Sequence, residues 1–126
     1  MHTEEDVIDT YLRHYELRRE EDFWAFDEVK QLFLQDDRET AWRVTHSLVA
    51  KASHEALGYV AAGPLEDFLY SFGLDGMDEV ENVARNDERL REALSMVYVE
   101  RDDPIWERWF ALMNEFGFAE KIQTDL

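Results

Sequence analysis

Residues 54–72 read HEALGYVAAGPLEDFLYSF, and within them Leu57, Val60, Ala61, Pro64, Leu65, Phe68, Leu69 and Phe72 recur at steps of three, one, three, one without interruption. That spacing is the signature of one helix face. A strand would alternate every second residue, and two helices meeting at Gly63-Pro64 would have no reason to keep a common phase. The pattern therefore predicts a single helix kinked at Pro64, whose ring offers no N–H to the Val60 carbonyl and pushes that carbonyl aside. The alternative makes Gly63 the cap of a new helix, with Pro64 in its first position and Glu66 and Asp67 in its first turn.

The helical period extends outward in both directions. Towards the N-terminus, Ala41, Val44, Leu48, Val49 and Ala52 form one inward stripe behind Asp36 and Asp37, where Asp36 and Glu39 have capping-box spacing. Phe23, Phe26, Val29, Leu32 and Phe33 form another over about 22–35. Val7, Ile8, Tyr11, Leu12 and Tyr15 form a third, with Thr3 as N-cap and Glu4, Glu5 and Asp6 in the favourable first turn. Towards the C-terminus, Gly73 is a stop, after which Asp75 is placed to cap a short helix bearing Met77, Val80, Val83 and Ala84. Asn86, Asp87 and Glu88 open the next, with Leu90, Ala93, Leu94, Val97 and Tyr98 inward. Asp103-Pro104 opens the last, whose apolar band from Ile105 through Trp106, Trp109, Phe110, Leu112 and Met113 to Phe116 is wide enough to be central to the core or to cover a partner. The expected fold is all-α: about seven helices in an irregular antiparallel bundle or a HEAT-like stack of helix pairs. Size predicts one domain over 1–126, with 118–126 a loose tail.

The same central region sets the electrostatics. Residues 52–84 contain no Lys or Arg, yet hold Glu55, Glu66, Asp67, Asp75, Asp78, Glu79 and Glu81; the whole chain has 30 acids against 13 bases and a net charge of −17. Such a stretch is either a surface kept negative for a basic partner or a solvated face that aids solubility. The charge opposes phosphate backbones and anionic lipid, so direct nucleic-acid binding and membrane association are not expected. No apolar run approaches the ~20 residues of a bilayer span. Zero cysteines exclude disulfides, thiolate metal sites and thiol nucleophiles, and fit a reducing cytoplasm. The acidic N-terminal Met1-His2-Thr3-Glu4-Glu5-Asp6 is the opposite of a secretory signal, so the expected location is cytoplasmic.

Catalytic patterns are missing from the sequence. His54-Glu55 is followed by Gly58 where a zincin needs its second histidine, and Tyr11, Arg43 and Lys51 stand three residues before His14, His46 and His54 where a di-iron bundle needs glutamates. There is no phosphate-cradling glycine loop, nucleophile elbow or calcium loop. Glu66-Asp67 and Asp78-Glu79 would form acid–base pairs only if one member were desolvated beside the other. His46 and His54, eight apart, could share a face. No catalytic, cofactor-binding or metal-binding residue is assigned. The partner-binding candidates are the seven acids above and Trp42, which sits off the Ala41–Leu48–Ala52 stripe as Trp24 sits off Phe23 and Phe26. Aromatics so placed are either core residues or anchors of a contact surface.

Tyr11-Leu12, Phe23-Trp24-Ala25, Ala41-Trp42 and residues 57–69, with Ala61-Ala62-Gly63-Pro64-Leu65-Glu66-Asp67 at their centre, resemble a family of small bacterial helical proteins of unknown function. The resemblance covers about residues 11–96 and implies no activity, substrate or cofactor. It implies that 63–67 matter as a unit, through the kink, the Val60 carbonyl and the two acids beside it. The leading expectation is an acidic, non-catalytic module that docks on a basic protein, as an immunity protein or inhibitor does. The alternative is a helical scaffold or self-associating module that binds through Trp24, Trp42 and the 106–116 band. An enzyme using helix-borne carboxylates ranks third, and a concave pocket holding a carboxylate of strongly raised pKa would favour it.

Overall fold

A computed structural model describes residues 2–118, and among them the chain is all-α, with no strand. Helix α1 spans Glu4–Leu17, a 3-10 turn Glu20–Asp22 leads into α2 at Phe23–Leu32, and α3 covers Arg38–Lys51. Then α4, His54–Val60, passes through a π-helical turn, Ala61–Leu65, into α5, Glu66–Ala84; α6 is Glu88–Ser95 and α7 Trp106–Glu115. These are six helical runs among the described residues. A break at Gly73, with φ 58° and ψ −136°, divides them into seven pieces.

Local chemistry sets most of the ends. Thr3 and Asp6 exchange side-chain and backbone bonds in a capping box at the start of α1. Arg18 closes that helix in the left-handed conformation, unusual for a residue with a Cβ, and its guanidinium lies over the rings of Tyr15 and Tyr59 at 5.2 and 5.8 Å. The cap of α3 is Asp37, which accepts from the Thr40 N–H, and not Asp36. Ser53 and Asp87 cap α4 and α6 in the same way. Asp103 accepts from the Ile105 N–H, so α7 begins two residues beyond Pro104. Gly117, at φ 89°, ends it. Asp75 lies inside α5 and is exposed. The tail expected over 118–126 falls, Phe118 apart, outside the described residues.

The expectation of one helical run through Pro64 is met, with the proline accommodated by a π turn. The Glu66 N–H reaches the Ala61 carbonyl five residues back, so the turn widens around the proline instead of breaking. Phase is kept: Leu57, Val60, Ala61, Leu65 and Phe68 are wholly buried, and Leu69 is 1% exposed. This run is the spine of one continuous core, packed against α3 and α6, while α1 rests on α2, α3 and α4, and α7 covers α5.

Two inward placements and one outward candidate are corrected. Phe23 is 51% exposed because, although its ring meets the edge of His14 on α1, it stands at the start of α2 beside an open depression. Tyr98 is 68% exposed because α6 stops at Ser95 and the chain runs on as an irregular connection. Trp42, a partner-binding candidate, is only 8% exposed: its ring stacks on His46 and tilts against Phe68, so it is a core residue and not an exposed anchor. No described helix is long and apolar enough to cross a membrane.

Candidate functional site

The fold separates the seven acids into two populations. Asp75, Asp78, Glu79 and Glu81, on the second half of α5, meet arginines brought in from outside the cation-free stretch. Arg38, at the start of α3, stands 3.2 Å from Glu79 and 3.8 Å from Asp75. Arg108, on α7, pairs with Asp78 and donates to Glu81 at 2.9 Å, and Arg85 lies 3.5 Å from Glu81 while also pairing with Glu115. Three arginines thus offset four carboxylates that look uncompensated in sequence. Glu55 is exposed in the first turn of α4, apart from both groups.

Glu66 and Asp67 are different. The π turn delivers both, half-buried, at the head of α5, and no arginine or lysine forms an ion pair with either among the described residues. Burial raises the pKa of Glu66, with the neighbouring Asp67 charge adding to the effect and the Tyr98 N–H, which donates to its carboxylate at 3.3 Å, opposing it. Burial likewise raises Asp67, opposed by the field of Lys30.

Two cavities flank this pair. One, of about 330 Å³, lies between the head of α5 and the irregular connection before α7; it is lined by Glu66, Asp67, Leu69, Tyr70, Val97, Tyr98, Val99, Glu100, Asp103 and Ile105. Four of those ten residues are acids and none is a cation. Tyr70 and Tyr98, at 81% and 68% exposure, stand at its edge. The other, of about 240 Å³, lies behind the π turn, bounded by Tyr11, Phe26, Val29, Lys30, Ala62, Gly63, Pro64 and Asp67. Here Tyr11 is nearly buried, and burial lifts its phenol far above the usual range, so it remains a neutral hydrogen-bonding group.

The chemistry available follows from these linings. The first groove can hold a cationic group between carboxylates and aromatic faces, and burial lets two of its carboxylates, Glu66 and Asp67, keep a proton to higher pH than free ones. Among the described residues, no three His, Asp or Glu side chains converge to hold a metal. Asp78 and Glu79 are tied to different arginines and form no desolvated pair. His46 hydrogen-bonds Asp87 at 2.9 Å, away from both cavities.

Residues 63–67 therefore do lie together at one structural irregularity, with two of the candidate acids. Sequence reading missed Tyr11, Lys30, Tyr98, Glu100 and Asp103 as their neighbours, because these arrive from α1, α2 and the connection before α7. One signal was available. Tyr70 follows Leu69 on the polar side of the helix, where a large aromatic has no packing reason to be.

The model of a family of unknown function (DUF6869) matches residues 13–115, and the chain belongs to that family. No curated protein and no solved structure matches it.

Proposed function

We propose that this member of a family of unknown function is a non-catalytic acidic interaction module of the bacterial cytoplasm, which docks on a basic protein in the manner of an immunity protein or an inhibitor of a nucleic-acid-binding enzyme. The supporting observation is the groove at the head of α5, with four carboxylates, two exposed tyrosines and no cation among its lining residues. An arginine or lysine side chain entering it meets charge and aromatic faces together. The net charge of −17 steers such a partner from a distance. The acids of the second half of α5 contribute less, since Arg38, Arg85 and Arg108 already answer them.

The test begins with the genes on either side. A basic product encoded there, produced with this chain, is expected to bind it with association that falls steeply as salt rises. Joint substitution Glu66→Ser, Asp67→Ser and Glu100→Ser should slow association about tenfold or more, whereas Asp75→Ser with Glu79→Ser should leave it nearly unchanged. Equal effects of the two sets, or binding indifferent to salt, would overturn the reading.

One observation favours a second reading, a helical scaffold that associates through apolar contacts. Phe23 and Leu17 are 51% and 54% exposed, and Phe23 and Trp24 line a broad depression of about 580 Å³. Sedimentation separates the two readings, because apolar self-association persists at high salt.

A further inference from the structure

The second cavity carries a different set of groups from the acidic groove. Its wall is the π turn itself, and its floor is apolar, formed by Phe26, Val29 and Pro64. At its mouth stand one cation, Lys30 of α2, and one carboxylate, Asp67 of α5. They feel each other's field yet form no direct ion pair, and the Lys30 ammonium rests 5.3 Å from the centre of the Phe26 ring. Opposite charges thus border one half-enclosed space without closing to ion-pair distance.

The backbone keeps the space open. A Cβ added at Gly63 would stand 3.2 Å from the Tyr11 hydroxyl, tighter than ordinary contact, so glycine leaves that hydroxyl facing the turn. The π geometry widens the helix where a regular one would be filled, and such turns recur at functional sites. At about 240 Å³ the space falls below the roughly 300–1,000 Å³ of sites for drug-sized ligands. It suits a molecule of amino-acid size.

We infer that this cavity binds a small zwitterion, an α-amino acid with an apolar side chain, whose carboxylate meets Lys30, whose ammonium meets Asp67 and whose side chain lies on Phe26, Val29 and Pro64. The Tyr11 hydroxyl supplies a neutral hydrogen bond at the back. Neither charge alone explains the arrangement. An anion site would exclude Asp67, and a cation site would exclude Lys30.

The probe is L-leucine, titrated into the ¹⁵N-labelled full chain and followed by amide chemical shifts. Two truncated analogues accompany it: 4-methylpentanoate, which lacks the ammonium, and 3-methylbutylamine, which lacks the carboxylate. Saturable shifts at Ala62, Gly63 and Asp67 are expected with leucine, and binding about tenfold weaker or worse with either analogue. Lys30→Gln and Asp67→Asn should each weaken leucine binding by a similar factor, with the remaining spectrum unchanged as evidence of an intact fold. Absence of saturable shifts with leucine overturns the inference, and so does equal binding of the amine alone, which marks a simple cation site. Of the two cavities beside Glu66 and Asp67, Lys30 lines this one and Glu100 the acidic groove. A loss confined to Lys30→Gln or to Glu100→Gln therefore distinguishes failure here from failure of the docking reading.

Discussion

Replacing Gly73 by alanine tests the break in α5 directly. At φ 58° and ψ −136° the residue lies where side chains are scarcely tolerated, and a Cβ there would meet nothing within 4 Å. The penalty is therefore backbone strain alone, about 1–3 kcal/mol. Alanine's helix propensity gives nothing back, because the position is not helical. With a urea m-value of about 1–3 kcal/mol/M, the unfolding midpoint should fall by about 1 M, and by no less than roughly 0.3 M, at unchanged m, read by circular dichroism at 222 nm. Gly76→Ala is the companion, since Gly76 is buried and helical and its added Cβ would stand 3.0 Å from the Phe72 Cβ and 3.1 Å from the Phe68 ring. Overpacking of about 1–3 kcal/mol should there outweigh the ~1 kcal/mol that alanine gains in a helix. If Gly73→Ala equals or exceeds the wild type in stability, α5 runs straight through residue 73. Met77 and Val80, both wholly buried beyond the break, would then turn to a different face.

Four further outcomes are expected. Arg89 donates to the carbonyls of Val49, at 2.7 Å, and Ala52, closing the end of α3; Arg89→Met should cost about 1.5–3 kcal/mol in thermal or urea unfolding, and Arg89→Lys should recover only part of it, because a lysine cannot fork. Asp67→Asn should stabilise the protein near neutral pH: a carboxyl whose folded pKa is raised favours the fold below its unfolded value, near ~3.9, and loses that contribution as pH rises through the folded pKa. For Asp87 the sign is opposite; burial raises it, but bonds from His46 and the Leu90 N–H outweigh that and hold it low, so its contribution is present above ~3.9 and fades on acidification through its folded pKa, which unfolding curves of Asp87→Asn between acid and neutral pH would resolve. Trp42→Ala should cost about 3–5 kcal/mol, and a calorimetric melt unchanged from wild type would contradict its burial.

The helical phase across Gly63-Pro64 was legible because burial follows it residue by residue from Leu57 to Leu69. The π turn was not, since it differs from a kinked α turn only in which carbonyl the Glu66 N–H finds. Trp42 was misplaced because α3 buries a broad face, with Ala41, Trp42, Val44, Thr45, Leu48 and Val49 all inside, rather than one narrow stripe. The acidic stretch read as uncompensated because Arg38 and Arg108 lie 27 to 41 residues from the carboxylates they meet. Charge runs are visible in sequence; their long-range answers are a product of the fold.

The amide of Tyr98 and the carboxylate of Glu66 join the two banks of the acidic groove. The other carboxylate oxygen of Glu66 takes no part in that bond, and Val97 and Ile105 are buried at either end of the irregular connection. The far bank is thus tied to the head of α5 by a bond and two packed side chains, and the width of the cleft is a property of the fold itself.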